Sequence, residues 1–211
     1  MSLFFQIHPD NPQSRLISQV VDIVHKGGVI IYPTDSSYAL GCHIGDKFAM
    51  ERIPQIRRVG PSHDFALVCR DLSEIATYAK LNNSAFRLIK ALTPGPYTFI
   101  LEATKEVPRR LQNPKRKTIG LRIPNNAIVQ ALLETMGEPL MSSTLILPGE
   151  DMPMTDPYEM RDTLGNQVDA IIDGGYCGYQ PSTIVDLVGE EPIVVRKGLG
   201  DTEIFETTTG E

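Results

Sequence analysis

Apolar positions along the chain alternate between the spacing of helices and the spacing of strands. After Asn11-Pro12, the residues Leu16, Val20 and Val24 recur every four positions, which places them on one face of a helix. An asparagine followed by a proline is a helix-start signal, so the sequence predicts that the first helix begins there. The β-branched run at residues 29–32 follows and predicts a short, buried strand.

The same criteria predict five further helices and seven further strands, in alternation. Three of the helices cover residues 83–92, 127–136 and 156–164, and two others begin at Asp46 and Asp71. The strands cover residues 65–69, 97–101, 118–123, 140–145, 168–172, 183–187 and 193–196. Pro54 lies inside the helix that begins at Asp46 and favours a kink or an early stop there.

Interleaved helices and strands predict the α/β class. The last three predicted strands are separated by turns and not by helical patterns, so we expect a mixed sheet with antiparallel pairs near its C-terminal end. No shift in composition marks a boundary along the chain. The expectation is therefore a single domain of residues 1–211.

Composition narrows the class of protein. The 211 residues are 41% hydrophobic and 22% charged, which is typical of a globular chain. The three cysteines, Cys42, Cys69 and Cys177, form no close pair, so neither a disulfide scaffold nor a Cys-rich zinc site is expected. The start of the chain lacks a signal-peptide pattern, and no apolar run reaches the roughly 18 residues that a membrane span needs. These features predict a cytoplasmic protein with no membrane partner.

Charge is unevenly distributed along the sequence. The net charge is −6 at pH 7, yet residues 105–122 hold seven cations and one acid, so that segment carries +6 and the rest carries −12. An acidic body with one basic segment favours a partner that bears phosphates, such as RNA. The basic residues expected to make that contact are Arg109, Arg110, Lys115, Arg116 and Lys117. A solvated loop is the alternative, because Pro108 and Pro114 interrupt the segment.

Familiar catalytic and metal-binding motifs are absent from the sequence. It contains no GxGxxG, GxxxxGK[ST], HExxH or GxSxG, and none of its four histidines has a metal-ligand partner at short spacing. The sequence therefore assigns neither a metal site nor a catalytic residue. Its candidate chemistry lies in polar residues at the ends of predicted strands.

The first of these clusters, residues 32–41, places several hydroxyl side chains directly after a buried strand. Ligands of α/β sheets bind beyond the carboxyl ends of strands, and hydroxyls and backbone N–H groups there suit a carboxylate or a phosphate. An ordinary capped turn is the alternative.

In the second cluster, alternation along the strand places Thr118, Gly120 and Arg122 on one face. The glycine there lets a ligand approach the backbone, and the arginine suits an anion. A solvated edge strand is the alternative.

Three weaker clusters, at residues 142–144, 181–186 and 195–198, add hydroxyls and cations at other strand ends. Together the five clusters contain many hydroxyls and arginines and few acids. Such a lining is typical of a site for an anionic small molecule or a nucleotide.

These clusters resemble the signature motifs of the YrdC/YciO family. The segments YPTDSSYALG at 32–41, TIGLRIP at 118–124, STIVD at 182–186 and VRKG at 195–198 follow the family's order and spacing, and the resemblance covers nearly the whole chain. The N-terminal FFQIHPDNPQ and the segment KRKTIGLRIP are most similar to the YciO branch. The resemblance implies a twisted, open, mixed α/β sheet with flanking helices and a large concave cavity.

The resemblance also implies a function. Members of the family make threonylcarbamoyl-adenylate from threonine, bicarbonate and ATP for a tRNA modification, and members are described as binding double-stranded RNA. ATP as the ligand implies accompanying Mg²⁺ through its phosphates. On the threonine side the resemblance places Thr34, Ser36, Tyr38, Arg122, Ser142 and Ser182. On the nucleotide and phosphate side it places Arg57, Arg58, Thr118, Ser143, Thr144 and Arg196.

The chain departs from the synthases of this family at several of the matched positions. Where they carry a KxR pair, this chain has Arg57 and Val59; Cys69 stands for a histidine, and Ile146 stands for the asparagine of an STSAN motif. Lysine and arginine are not equivalent beside phosphates. The departures predict weak synthesis of the adenylate, with synthesis or hydrolysis of threonylcarbamoyl-adenylate as the main hypothesis. A non-catalytic protein that binds double-stranded RNA or tRNA is the alternative. The sequence does not specify the oligomeric state.

Overall fold

A ten-stranded sheet runs through the computed structural model, which describes residues 1–60 and 65–206. The strands are β1 Leu3–Gln6, β2 Ile30–Pro33, β3 Tyr38–His43, β4 Ala66–Val68, β5 Tyr97–Glu102, β6 Thr118–Arg122, β7 Leu140–Thr144, β8 Ala170–Asp173, β9 Thr183–Asp186 and β10 Ile193–Arg196. The helices are α1 Ser14–His25, α2 Lys47–Arg57, α3 Leu72–Tyr78, α4 Asn83–Leu92, α5 Ala127–Met136, α6 Pro157–Leu164 and α7 Glu203–Glu206. Among these residues no helix is long and apolar enough to cross a membrane.

The strand order is β1-β8-β2-β3-β7-β4-β6-β5-β9-β10, with β1 and β10 at the two edges. The predicted mixed, open α/β sheet is confirmed, and so is the antiparallel pairing of the last two strands. Antiparallel pairing is more widespread than predicted, since it also joins β3 to β2 and β7, β7 to β4, and β5 to β6. That the chain forms a single domain stays a prediction, which the continuous sheet supports.

Helix ends agree with the sequence where a side-chain cap fixes them. Asn82 accepts a hydrogen bond from the Ala85 N–H, and Asn126 accepts one from Val129 N–H, so α4 and α5 begin and end at the predicted residues. The first helix begins later than predicted, at Ser14, because the His8 ring accepts the N–H groups of Asp10 and Asn11 and holds that segment in a turn.

Two strands and one helix end differ from the predictions. The early stop at Pro54 was wrong: α2 continues to Arg57, and the burial of Ile53 and Ile56 on either side of the proline stabilises its last turns. The strands β1 and β3 were not predicted. In β3 nearly every side chain is buried, so the polar-apolar alternation that identifies a half-exposed strand is missing.

The two faces of the sheet are covered differently. On one face, α2, α3, α4 and α6 contribute residues to a large apolar core over the middle of the sheet. On the other face, α1 and α5 pack against β1, β8, β2 and β3 in a second core. Because paired residues point to the same face, Ser142, Ala66 and Gly120 continue this second face towards β10. Small side chains on that row leave open space beyond the helices.

Gly41 in β3 tests the packing beside that space. A Cβ atom at this buried glycine would lie 2.7 Å from Cε1 of Tyr32, whose ring is fully buried. We expect Gly41→Ala to lower the free energy of unfolding by about 1–3 kcal/mol through overpacking, as measured by urea denaturation. The control is Gly60→Ala, where a Cβ atom would meet no atom of the described residues within 4 Å. Equal stability of the two variants would contradict this packing.

Candidate functional site

A cavity with about 1100 Å³ of empty space, its open mouth included, lies on the second face of the sheet. The cavity spans the sheet from β3 to β10. It brings together nine residues that the sequence singled out: Arg57, Arg116, Thr118, Arg122, Ser142, Ser143, Thr144, Ser182 and Arg196.

Arg122 at the end of β6 forms the most deeply buried charged contact of the cavity. Its Nη2 group donates to Oδ1 of Asp35 at 2.6 Å and to Oγ of Ser36 at 3.2 Å. The other oxygen of Asp35 accepts the backbone N–H of Asn125 at 2.8 Å. Arg122 is only 6% exposed, and its Nε is buried with no hydrogen-bond partner within the described part of the chain. A buried donor in this state costs about 1–3 kcal/mol.

Thr34 and Ser36 do not line the cavity, and they support the contact between Arg122 and Asp35. The Thr34 hydroxyl donates to the carbonyl of Ser37 at 2.6 Å and accepts the N–H groups of Ser36 and Ser37, so it shapes the turn between β2 and β3. Ser36 is fully buried and reaches Arg122. The residue of this turn that lines the cavity is Ser37, which sequence reasoning did not select.

Hydroxyl groups on three strands form the floor of the cavity. Ser142 shares a 2.6 Å hydrogen bond with the buried Tyr32, and burial raises the pKa of that tyrosine to about 12, so it stays protonated at neutral pH. Ser182 shares a 2.7 Å hydrogen bond with Thr98 on β5. Ser143 accepts a 2.6 Å hydrogen bond from Nη1 of Arg57, which positions that arginine at the end of α2.

Three arginines of the cavity are electrostatically coupled. Burial lowers the pKa of Arg57, and the charge of Arg196 lowers it further. Burial likewise lowers the pKa of Arg196, with a further contribution from Arg122. Arginine remains charged at neutral pH, so the three cations repel one another. An anion between them relieves this repulsion.

The described lining of the cavity includes no aspartate and no glutamate. Hard cations such as Mg²⁺ prefer oxygen ligands, especially carboxylates. No group of three or more His, Cys, Asp or Glu side chains in the described residues could hold a metal ion. This lining does not fit a resident metal, and a Mg²⁺ that enters with ATP would be held by the phosphates and by water.

An apolar wall completes the cavity. Its members are Phe65, Ile100, Leu111, Ile119, Ile146, Ile184 and Val195. The side chain of Ile146 therefore stands in the cavity, as the departure from the STSAN motif implies. A wall of this kind suits the flat, weakly polar surface of a nucleobase.

Three positions that the sequence singled out, Tyr38, Cys69 and Val59, lie outside the cavity lining. Tyr38 is buried; its hydroxyl donates to the Gly175 carbonyl at 2.7 Å and accepts the Gly174 N–H at 3.1 Å, so it anchors the segment after β8 instead of lining the cavity. Cys69 is fully buried in the apolar core, and burial raises its pKa well above the usual value. Its replacement of a histidine therefore does not change the described lining. Val59 follows α2 and is also absent from that lining.

The predicted basic residues divide between the cavity and the surface. Arg58, Arg109, Lys115 and Lys117 are exposed and outside the lining. Arg110 donates to the Gly45 carbonyl at 2.9 Å, which ties the basic segment to the start of α2. Arg116 lines the cavity and forms a 2.6 Å ion pair with Asp186, yet its side chain is 50% exposed, so its contact with RNA stays a prediction.

Sequence reasoning missed the acidic partners of the cavity arginines. Asp35 lies within the first motif, but its contact with Arg122 joins residues 87 positions apart. The partner of Arg116, Asp186, ends the STIVD segment. The signal that could have identified Asp35 and Asp186 is that an acid lies close in sequence to an arginine-rich cluster. Only the strand register identifies which acid contacts which arginine.

Comparisons place the chain beside known proteins over nearly its whole length. The Sua5–YciO–YrdC family model, described as "Telomere recombination", matches residues 22–198. "Uncharacterized protein YciO" of Escherichia coli strain K12 is 61% identical over 205 residues, which cover 97% of this chain and 100% of that protein. The crystal structure of E. coli YciO matches with a TM-score of 0.94 over the same shares of the two chains.

Two more distant structures share the fold. P. abyssi Sua5 complexed with L-threonine is 23% identical, with a TM-score of 0.90 over 100% of this chain and 62% of that chain. Full-length HypF in a phosphate- and nucleotide-bound form is 16% identical, with a TM-score of 0.74 over 86% of this chain and 29% of that chain. At these identities the likeness shows the fold alone.

Tyr38→Phe tests whether this tyrosine anchors the chain or contacts a ligand. The change removes the hydroxyl from the buried hydrogen bonds with Gly174 and Gly175, so we expect the free energy of unfolding to fall by about 1–3 kcal/mol. Differential scanning calorimetry measures the loss, and a nucleotide titration at a temperature where the variant is folded measures affinity. Wild-type stability with weaker ligand binding would show that Tyr38 contacts the ligand.

Proposed function

We propose that this chain, which belongs to the Sua5–YciO–YrdC family, binds ATP or an adenylate in its cavity and makes or breaks threonylcarbamoyl-adenylate. The family includes threonylcarbamoyl-AMP synthases. The observation that carries the proposal is the lining itself, which has four arginines, several hydroxyls and no acid among its described residues. Such a lining selects a ligand with several negative charges.

The Arg122 end of the cavity suits the amino-acid part of the ligand. The guanidinium of Arg122 suits a carboxylate, and the hydroxyls of Ser37 and Ser182 lie in the same lining. That Sua5 is found complexed with L-threonine in this fold supports threonine as the amino acid. Thr34 and Ser36 then support the site indirectly by fixing the turn and Arg122.

The phosphate part of the ligand is assigned to Arg57 and Arg196, with Ser143, Thr144 and Thr118 beside them. In synthesis, the threonine amine and bicarbonate first form a carbamate with loss of water. A carbamate oxygen then attacks the α-phosphorus of ATP, and the bond to pyrophosphate breaks. Positive charge at fixed positions stabilises the negative charge that develops on the phosphate oxygens.

Hydrolysis uses the same binding groups. Water attacks the carbonyl carbon of the mixed anhydride, the bond to the phosphate oxygen breaks, and AMP leaves with threonylcarbamate as the other product. No histidine, aspartate or glutamate belongs to the described lining, so no side chain there is placed to act as a general base. We therefore assign catalysis to positioning and charge stabilisation and name no catalytic residue.

Arg196→Ala tests the phosphate assignment. The guanidinium of Arg196 donates to the Ser182 carbonyl at 2.7 Å and makes no buried ion pair in the described contacts, so its removal is compatible with folding. We expect adenylate affinity, measured by calorimetry, to fall about tenfold to a hundredfold, since a charge-assisted hydrogen bond contributes roughly 1.5–3 kcal/mol. Lys197→Ala is the matched control, because Lys197 is exposed and outside the lining.

The corresponding test at Arg122 is Arg122→Lys. Arg122→Ala is unsuitable, because alanine would leave the Asp35 carboxylate buried without its arginine. Wild-type affinity in both arginine variants would exclude the cavity as the nucleotide site.

Weak synthesis is the second expected outcome. Arg57 and Ile146 both face the cavity, where the family's synthases carry lysine and asparagine, so charge-assisted contacts worth roughly 1.5–3 kcal/mol each are altered or missing. We expect synthesis from ATP, bicarbonate and threonine to be slow beside a typical synthase, and hydrolysis of preformed threonylcarbamoyl-adenylate to persist. Ile146→Asn, which returns an amide to the lining, is expected to raise the synthesis rate. Robust synthesis by the wild type would contradict this expectation.

RNA binding is retained as the second candidate function. Arg109, Lys115 and Lys117 are exposed, and they lie on the one basic segment of an acidic chain. Backbone contacts to double-stranded RNA depend strongly on salt. Salt-dependent RNA binding, together with neither synthesis nor hydrolysis, would favour this function over the enzymatic one.

A further inference from the structure

A rigid turn holds Arg116 at the cavity. The side-chain oxygen of Asn113 accepts the N–H groups of Lys115 at 3.1 Å and Arg116 at 3.0 Å, and the Lys117 N–H donates to the Asn113 carbonyl at 2.9 Å. Lys117 adopts a left-handed conformation with φ of 56°, which reverses the chain directly before β6. The turn therefore fixes where Arg116 enters the cavity, and Asn113 lines the cavity beside it.

Asp186 fixes the other end of the Arg116 side chain. Its Oδ2 atom lies 2.6 Å from Nη1 of Arg116, and its Oδ1 atom accepts the Val188 N–H at 3.0 Å. The Asp186 side chain is 11% exposed, whereas that of Arg116 is 50% exposed. Burial by itself would raise the pKa of Asp186, but the hydrogen bonds from Arg116 and Val188 hold it below the usual value. The carboxylate is thus a fixed anchor, and the guanidinium is an accessible group above it.

The direction of β6 separates Arg116, which precedes the strand, from Arg122, which ends it. Arg122 and Thr118 are the two ends of β6, about 13 Å apart at roughly 3.3 Å per residue. Arg116 enters at the Thr118 end. Asp186 pairs with Ile100, and Ile100 pairs with Gly120, both of which line the cavity, so the ion pair stands on the cavity face and not behind the sheet. Arg122 and Arg116 therefore enter the cavity from opposite ends of β6.

We propose that Arg116 binds the terminal phosphates of a nucleoside triphosphate and that Asp186 is its positioning residue. This inference rests on the proposed function, because it assigns the amino-acid part of the ligand to the Arg122 end. The α-phosphorus must then adjoin the carbamate, and the β- and γ-phosphates extend away from Arg122. A half-exposed guanidinium suits the most highly charged and most hydrated part of the ligand, whereas the apolar wall suits the base.

Binding of ATP and of AMP, measured side by side, distinguishes a contact with the terminal phosphates from a general loss of positive charge in the cavity. Both nucleotides carry the base, the ribose and the α-phosphate, and only ATP carries the terminal phosphates. We expect Arg116→Ala to weaken ATP binding about tenfold in calorimetric titrations and AMP binding by less than about twofold. Lys115→Ala is the matched control, since Lys115 is exposed on the same turn and outside the lining. Equal losses for ATP and AMP, or no loss for ATP, would overturn the assignment.

Asp186→Asn tests the positioning role. Asparagine keeps an acceptor for the Val188 N–H but removes the charge that holds Arg116. We expect the ATP-to-AMP affinity ratio to fall in the same direction as in Arg116→Ala, by a smaller factor of about threefold. A loss of fold alone would change both affinities together. Tighter ATP binding in Asp186→Asn would show that the carboxylate competes with phosphate, which would overturn the positioning role.

The wild-type protein distinguishes failure of this inference from failure of the proposed function. If the wild type binds neither ATP nor AMP, both proposals fall. If it binds both nucleotides, Arg196→Ala weakens both, and Arg116→Ala leaves the ATP-to-AMP ratio unchanged, the proposed function stands and the Arg116 assignment fails.

Discussion

The buried ion pair between Arg122 and Asp35 ties together the three segments that build one end of the cavity. Asp35 lies in the turn between β2 and β3, Arg122 ends β6, and the second oxygen of Asp35 holds the N–H of Asn125 at the start of α5. Both side chains of the pair are less than one-tenth exposed. Burying two charges costs desolvation energy, so such a pair is weak evidence for stability and better evidence for fixed position. Here it fixes the orientation of Arg122, whose Nε has no protein partner in the described residues.

The cavity exists because the same strands have large residues on one face and small residues on the other. Leu67, Phe99 and Leu121 pack into the core, whereas Ala66 and Gly120, adjacent in sequence to two of them, face the open side. A Cβ atom at Gly120 would lie 3.1 Å from the Thr98 side chain, so even alanine would crowd the floor. Alternation along a strand thus produces a packed core and an open ligand site from consecutive residues.

The sequence was informative where local signals decide the structure. Asparagine caps and apolar periodicity predicted α4 and α5, and the hydroxyl and arginine clusters at strand ends predicted most of the polar lining. It was uninformative in β3, where burial removes the alternation of polar and apolar residues. It was also uninformative for residues whose position depends on a contact with a residue far away in the sequence. Tyr38 could not be told from a ligand contact by its neighbours, because its partners at Gly174 and Gly175 follow it by about 137 positions. Arg116 belonged by sequence to a basic surface segment, and only the turn at Asn113 and the register of β9 place it in the cavity.

Electrostatics explains how an acidic protein can hold a strongly anionic ligand. The chain carries a net charge of −6, but its described cavity lining holds four arginines and no acid, and low-dielectric walls concentrate their field inside. Within the described contacts, Arg122 is paired with Asp35 and Arg116 with Asp186. These acids reduce the repulsion between arginines and hold their orientation while remaining outside the lining. Arg57 and Arg196 donate to the neutral groups Ser143 and the Ser182 carbonyl, and burial, followed by neighbouring positive charge, lowers the pKa of each. A ligand with several negative charges relieves the repulsion among these arginines.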